Sequence, residues 1–141
     1  VKDTKGFVPT MKKILTLNIL LYSVMFSSIS FGEWTVIGRS VTGDVYYVDF
    51  ESISLNNDFV RYWRLVDYAE RDKWGVMSVK NYFEGDCEQF RERYFSSHYY
   101  RERKGVGASQ DFSFEPKWHY PNSTSNSGIV LQQVCEFKVN L

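Results

Sequence analysis

The sequence predicts an α+β domain in which an antiparallel β-sheet of about five to six strands carries a C-terminal helix tethered by a disulfide. Runs rich in β-branched and aromatic residues follow one another from Glu33 to Tyr100, as is typical of strands. The connections between these runs are short, which favours hairpins and therefore antiparallel pairing. The run Ile129–Phe137 instead spaces its apolar residues along one side of a helix.

The strands are delimited by turn-forming residues. Turns are indicated at Thr42-Gly43-Asp44, at Leu55–Asp58 and at Gly85-Asp86. The strands between and around these turns are expected at residues 33–39, 45–50, 59–69, 74–84 and 87–100.

The C-terminal third changes character. Arg101–Ser113 is charged and contains glycine, so a loop or an irregular edge is expected there. A final strand is expected around Phe112, Phe114 and Trp118, before the polar connector Pro121–Gly128. The buried face of the predicted helix, with Cys135 beside it, comprises Ile129, Val130, Val134 and Phe137.

Met11 begins a segment built like a secretory signal peptide. Lys12 and Lys13 supply the positive start, residues 14–26 are mostly apolar, and the small residues Ser28 and Ser30 follow. The apolar stretch is shorter than the about 20 residues that a membrane-spanning helix needs. A buried core helix is the alternative, but it does not explain the two lysines or the serine-rich end. We therefore expect translation to begin at Met11, with residues 1–10 arising from a start assigned too far upstream. A signal peptide is expected over residues 11–30 and one exported domain over residues 31–141.

The charge balance of the exported domain argues against a nucleic-acid ligand. The whole chain has 17 basic and 17 acidic residues, and removal of residues 1–30 leaves 13 and 16. A nucleic-acid-binding domain carries a basic surplus instead. No cysteine lies near the expected cleavage site, so we expect no lipid anchor and a periplasmic or secreted location.

The two cysteines, Cys87 and Cys135, favour a structural disulfide, because an even count in an oxidising compartment is usually paired. Closing a loop of this length stabilises a small domain by about 4 kcal/mol in the chain-entropy model. A metal site is the alternative, but two cysteines without histidines at ligand spacing make a poor one. No metal or other cofactor is expected.

The chain resembles the surface-adhesin protein E-like domain family of bacterial exported proteins. The resemblance covers nearly all of residues 31–141 and lies in the order of short motifs: Trp34, GDVYYVDFESI (Gly43–Ile53), WRLVDY (Trp63–Tyr68), SVKNYFEGDC (Ser78–Cys87), Gly105-x-Gly107, Trp118 and VLQQVC (Val130–Cys135). It implies a mainly antiparallel sheet with a C-terminal helix held by the two cysteines. It also implies adhesion to host extracellular proteins and a homodimer. The best-known member of the family is a lipoprotein, and this chain differs by lacking the lipid-attachment cysteine.

Catalytic residues are not indicated. His98 and His119 lie in no recognisable motif that supplies a nucleophile and an orienting partner, and are expected to be surface or hydrogen-bonded histidines. Paired carboxylates could act in glycoside cleavage, but turn and strand-end roles are the simpler interpretation. The acidic candidates are Asp44, Asp49, Glu51, Asp67, Glu84 and Asp86.

The segment Arg91–Lys104 is the most distinctive candidate binding surface, because arginine and tyrosine are enriched at binding hot spots. The alternative is that Glu92 and Glu102 neutralise their neighbours while the aromatic rings fill the core. The predicted partner-binding residues are Arg91, Arg93, Tyr99, Tyr100, Arg101, Arg103 and Lys104.

The leading functional hypothesis is an exported, non-enzymatic, adhesin-like module that engages an extracellular-matrix or envelope protein. The first alternative is a periplasmic structural or accessory protein of the cell envelope without a host ligand. A small hydrolase is the third hypothesis, and convergent carboxylates in an open cleft would favour it.

Overall fold

The computed structural model describes residues 32–141. Within this part of the chain, segments of alternating apolar and polar residues, separated by turns, form a β-sheet. The predicted upstream extension and signal peptide lie outside the described residues. Seven strands form one sheet: β1 (Trp34–Arg39), β2 (Val45–Asp49), β3 (Ser54–Asn56), β4 (Phe59–Asp67), β5 (Ser78–Asp86), β6 (Arg91–Tyr100) and β7 (Ser109–Ser113). Short 3-10 turns occupy Phe50–Ser52 and Arg103–Gly105, and one helix, α1, spans Asn126–Lys138.

The sheet is antiparallel throughout, with the strand order β1-β2-β4-β5-β6-β7 and with β3 paired to the start of β4. The predicted fold class is therefore confirmed. The three long strands β4, β5 and β6 form an antiparallel meander at the centre of the sheet. A bulge in β6 near Phe95 shifts the register of β6 against β5 between Tyr82 and Phe83.

Helix α1 covers one face of the sheet, which we call the helix face. Val60, Tyr62 and Phe83 of the sheet pack there against Val130, Leu131 and Val134 of the helix. Ser125 caps the helix by accepting a hydrogen bond from the Gly128 amide at 3.1 Å, so the helix begins at Asn126 rather than at Ile129. Ile129 is 36% exposed, and its prediction as a core residue was wrong; Leu131 is buried instead.

The opposite face, which we call the open face, carries a second apolar cluster at one end. Val45, Tyr47 and Leu65 are buried there, with Trp34 packed against them. The turn Arg103–Gly105 contacts β4, β5 and β6 at this end. Most other side chains of the open face are of intermediate exposure, whereas those of Ser78, Glu84 and Asp86 are buried.

The disulfide joins Cys87 to Cys135 with a Cα–Cα distance of 5.6 Å, as the sequence predicted. Cys87, however, lies in the β5–β6 turn and not at the start of a strand. The predicted turn at Gly85-Asp86 was wrong by two residues, since β5 continues to Asp86. The Asp86 carboxylate then accepts the Glu88 and Gln89 amides at 3.1 Å each and so forms the turn that follows.

Two further boundaries differ from the prediction. Residues 74–77 precede β5, because Asp72 accepts the Trp74 and Val76 amides and forms a local turn. A strand, β7, forms within the segment predicted as a loop; it contains Phe112, whereas Phe114 and Trp118 lie beyond it. Within residues 32–141, α1 is too short and too polar to cross a membrane.

Candidate functional site

The turn that follows β6 is held over the open face by buried polar groups. The Asp67 carboxylate accepts the Lys104 amide at 2.7 Å. The Ser78 hydroxyl accepts the Gly105 amide at 2.9 Å and donates to the Glu102 carbonyl at 2.6 Å. Asp67 and Ser78 are themselves buried at the ends of paired strands. The sheet therefore fixes the backbone of a turn whose side chains are exposed.

Two residues of this turn adopt left-handed backbone conformations. Lys104 has a φ of 60° and Gly105 a φ of 63°. A Cβ atom on Gly105 would lie 2.2 Å from Cε of Lys80, so the position tolerates only glycine without rearrangement. Lys104 places its ammonium nitrogen 3.7 Å from the centre of the Tyr47 ring.

A second loop, residues 68–75, lies against this turn. Arg103 donates to the carbonyls of Tyr68 at 3.2 Å and Ala69 at 3.3 Å. Arg71 in turn donates to the Gly75 carbonyl at 3.1 Å and to the Arg101 carbonyl. The two loops thus bring together five cationic side chains that we call the basic end: Arg71, Lys73, Arg101, Arg103 and Lys104.

The cations of the basic end are not neutralised locally. None of the five forms an ion pair with a carboxylate among residues 32–141. The same loops carry the carboxylates of Glu70, Asp72 and Glu102, and Asp44 and Asp67 accept amides of these loops, so the five cations are unpaired although the formal charges of the region balance. Asp72 is occupied with two backbone amides. Glu102 forms no ion pair with a described residue, so the alternative in which it neutralises its neighbours was wrong.

Arg91 and Arg93 lie near the opposite end of β6 and are used internally. Arg91 donates to Asp86 at 2.9 Å, and Arg93 binds Glu84 at 2.5 Å. Glu92 lies on the other face of the sheet and contacts neither arginine. The predicted segment therefore divides into a neutralised half and an exposed half.

Glu84 is a fully buried carboxylate on the open face. It accepts hydrogen bonds from Arg61 and Asn56 at 2.9 Å each, besides those from Arg93. Burial acts to raise the pKa of Glu84, but the hydrogen bonds from these three partners outweigh it and leave the pKa below its ordinary value. The carboxylate is therefore ionised, and its role is to hold the two arginines in place.

Trp118 closes this end of the open face. Its ring lies between the guanidinium groups of Arg91 at 4.4 Å and Arg93 at 4.3 Å. It also packs against Phe59, with ring centroids 5.3 Å apart. The adjacent residue, His119, forms a bridge with Glu92 that attaches this segment to β6.

The two predicted tyrosines point to opposite faces of β6. Tyr100 lies on the open face, 5.1 Å from the Lys80 ammonium group. Tyr99 lies on the helix face, beyond the helix, and packs edge-on against Phe112 at 5.7 Å. It lines an apolar groove of about 550 Å³ that includes the exposed rings of Trp74 and Phe112. The predicted residues thus do not form one surface.

The second buried carboxylate, Glu92, belongs to a network on the helix face. It accepts hydrogen bonds from the Tyr62 hydroxyl at 2.5 Å and from Nε2 of His119 at 2.9 Å, and Arg64 lies 3.9 Å away. Burial, and then the charge of Glu92, raises the pKa of Tyr62 well above its ordinary value, so the phenol stays protonated and donates. His119 is a hydrogen-bonded histidine, as predicted.

The other histidine and the remaining carboxylates serve structural contacts. His98 binds Asp111 of β7 at 2.8 Å. A cleft of about 530 Å³ is lined by Asp44, Glu70 and Asp72, the arrangement that would favour a hydrolase. However, Asp44 accepts the Ala69 amide at 2.8 Å, and Asp72 caps its own turn. Among the residues described, no three metal-ligating side chains cluster together.

Sequence reasoning missed Arg71 and Lys73. In the sequence they alternate with Glu70 and Asp72, so the segment has no net charge and no pattern that singles it out. Only the fold places them against the turn after β6. The signal that could have indicated the region is Gly105-x-Gly107, where both glycines have positive φ angles.

The comparisons with known proteins agree with this fold. The sequence matches the family described as surface-adhesin protein E over residues 34–136. The structure is similar to the crystal structure of protein E from non-typeable Haemophilus influenzae, with a TM-score of 0.52 and 19% identity over 78% of this chain and 76% of that chain. No curated protein matches the sequence. Because the family match covers most of the chain, including all seven strands and most of α1, the chain belongs to the surface-adhesin protein E family.

Proposed function

We propose that the protein is an exported, non-enzymatic binding module of the adhesin type that engages an anionic matrix or envelope partner through its basic end. The module needs no cofactor and operates in the periplasm or after secretion. The sequence pattern of residues 11–30, which is that of a signal peptide, supports export. Family membership supports adhesion as the class of function.

The observation that carries this proposal is the set of unpaired cations on a fixed backbone. Arg101, Arg103 and Lys104 are exposed, yet the turn that bears them is anchored by Asp67 and Ser78. Because the backbone of the turn is already fixed, binding does not have to order it, which favours affinity. Arginine in particular forms bidentate hydrogen bonds with carboxylate, sulfate and phosphate groups.

Chromatography of the full chain on immobilised heparin tests the proposal. Heparin is a defined polyanion, and retention should fall with rising salt because the contacts are electrostatic. We expect the variant Arg101→Ala/Arg103→Ala/Lys104→Ala to elute at a clearly lower salt concentration. Its melting temperature should fall modestly, because Arg103 loses its hydrogen bonds to the carbonyls of Tyr68 and Ala69.

The matched control is Arg39→Ala/Lys117→Ala/Lys138→Ala, which removes the same charge from positions outside the basic end. This variant should elute close to the wild type. Equal retention of wild type and both variants, or a larger loss in the control, would contradict a specific role for the basic end.

A periplasmic accessory protein of the envelope remains the second candidate, favoured by the absence of a cysteine near the expected cleavage site. Fractionation of cells that express the full chain separates the two. Recovery from the medium or the cell surface supports adhesion, whereas recovery from the periplasm alone supports the accessory role.

A further inference from the structure

Between the basic end and Trp118, the open face of the sheet carries a floor of aromatic rings. Trp63 of β4 and Tyr82 of β5 lie side by side with ring centroids 4.8 Å apart, and His98 of β6 lies 5.3 Å from Trp63. Phe95 continues the row 6.0 Å from Tyr82. All four side chains are partly exposed, and α1 packs on the other face. We call these four residues the aromatic floor.

The floor is bounded at both ends. Trp118, packed on Phe59, rises at one end. The anchored turn Arg103–Gly105 lies over the other end, where it contacts Lys80. We call the open face between these two boundaries the trough. Main-chain hydrogen-bonding groups within the trough are already paired between β4, β5 and β6.

The cations of the trough are incompletely paired. Arg61 and Arg93 share the single carboxylate of Glu84. Lys80 forms no ion pair with any described residue, although burial lowers its pKa. At the rim, Asp111 is bound by His98, and Asp67 accepts the Lys104 amide. An anionic group on a ligand would complete the pairing of the three cations, so the complementary ligand is acidic.

The two arginines are also preorganised. Their guanidinium carbons lie 5.6 Å and 5.7 Å from the centre of the Phe95 ring, and Glu84 fixes both side chains from below. Arg61 and Arg93 nevertheless keep 36% and 27% of their side-chain surface exposed. They can thus receive a carboxylate group without first being ordered.

We infer that this trough binds an acidic saccharide, with a uronate carboxylate on Arg61 and Arg93 and the apolar face of a sugar ring stacked on Trp63 and Tyr82. A saccharide fits better than a peptide because the trough offers rings and side chains but no free main-chain groups. A peptide laid across it would find no free main-chain groups with which to pair, so it could not bind by adding a strand. Sugar hydroxyls project sideways and remain hydrated or reach polar side chains at the rim.

This inference rests on the proposed binding function and adds a second ligand surface to it. Calorimetric titration of the full chain with a hyaluronan hexasaccharide, which carries uronate but no sulfate, tests it at physiological salt. We expect Arg61→Gln and Trp63→Leu each to weaken binding about tenfold or more, the value of one charge-assisted hydrogen bond or one buried ring. Arg39 is an exposed arginine at the end of the edge strand β1 and belongs to neither surface, so Arg39→Gln is the matched control and should bind like the wild type.

Two further probes fix the ligand class: a neutral hexamer of N-acetylglucosamine should bind at least about tenfold more weakly than hyaluronan, and a glutamate decapeptide should not compete. Nuclear magnetic resonance of the wild type avoids the risk that a variant fails to fold. The Trp63 indole signal should shift on titration, whereas that of Trp74 should not.

Absence of hyaluronan binding, or loss of binding in Arg39→Gln rather than Arg61→Gln, would overturn the inference. Competition by the peptide would assign the trough to a protein partner and overturn it as well. Heparin also carries uronate groups, so the variants separate the two surfaces: the basic end is measured by the loss of heparin retention in its triple-alanine variant, and the trough by the loss of hyaluronan binding in Arg61→Gln. Either assignment can therefore fail while the other stands.

Discussion

At the residue scale, two buried carboxylates on neighbouring strands face opposite sides of the sheet and bind different kinds of partner. Glu84 faces the open side and collects two arginines, whereas Glu92 faces the helix side and collects a tyrosine and a histidine. Burying a carboxylate is costly unless its oxygens are fully hydrogen-bonded. The partners come from strands far apart in sequence, so neither network could be predicted from local spacing.

Glu84→Gln should destabilise the fold by about 2–3 kcal/mol, towards the low end for breaking a buried ion pair because both arginines remain partly exposed. The pKa of Glu84 is lowered in the folded protein. The contribution of Glu84 to the free energy of unfolding is therefore fully present above pH 4.5, the ordinary pKa, and is lost as the pH falls through the lower pKa of the folded state. Urea unfolding at pH 7 and near pH 3 measures both effects. The difference between wild type and variant should shrink at acidic pH; a constant difference would contradict this role.

Gly105→Ala should weaken heparin retention without changing the charge of the protein. Alanine disfavours the φ of 63°, which strains the backbone of the turn, and its Cβ would push the flexible end of Lys80 aside. Gly107→Ala is the matched control, because its Cβ would meet nothing within 4 Å although its φ is also positive. If both variants elute like the wild type, the geometry of the basic end is irrelevant and only its charge matters.

The helix and its tether dominate at the element scale. Disulfide pairing and the apolar spacing of residues 129–137 could be predicted because both follow from local composition. The short strand β3 was missed, and the final strand, β7, was predicted too far along the chain, because tertiary pairing with β4 and β6 creates both from polar sequences, SLN and SQDFS. The turn after β5 was misplaced because glycine suggested a bend where Gly85 serves close packing.

Gly85 allows α1 to approach the sheet. A Cβ on Gly85 would lie 2.7 Å from Cδ1 of the fully buried Leu131 and 3.3 Å from Cγ1 of Val60. Gly85→Ala should therefore cost about 1–3 kcal/mol by overpacking, and Leu131→Ala about 2–5 kcal/mol by leaving a cavity. In the double variant the alanine methyl partly fills that cavity, so denaturant unfolding should give less than the sum of the two losses. Strict additivity would show that these side chains do not meet.

The candidate surfaces become clear only at the scale of the whole molecule. In the sequence, Arg91–Lys104 is one basic, aromatic stretch. In the fold, however, a strand places alternate side chains on opposite faces of the sheet, and its first and last residues lie at opposite ends of the sheet. Arg101, Arg103 and Lys104 thus join Arg71 and Lys73, while Arg91 and Arg93 join Glu84, Asp86 and Trp118. Composition indicated a binding protein, and only the topology could show which residues act together.

Binding of the full chain to wells coated with basement-membrane matrix tests the central claim most directly. We predict saturable binding by the wild type that is reduced about tenfold or more in Arg101→Ala/Arg103→Ala/Lys104→Ala, since charge-assisted contacts of this kind contribute at least that factor. The control variant Arg39→Ala/Lys117→Ala/Lys138→Ala should bind like the wild type. Wild-type binding no stronger than to albumin-coated wells, or equal binding by both variants, would contradict an adhesin-type role for the basic end.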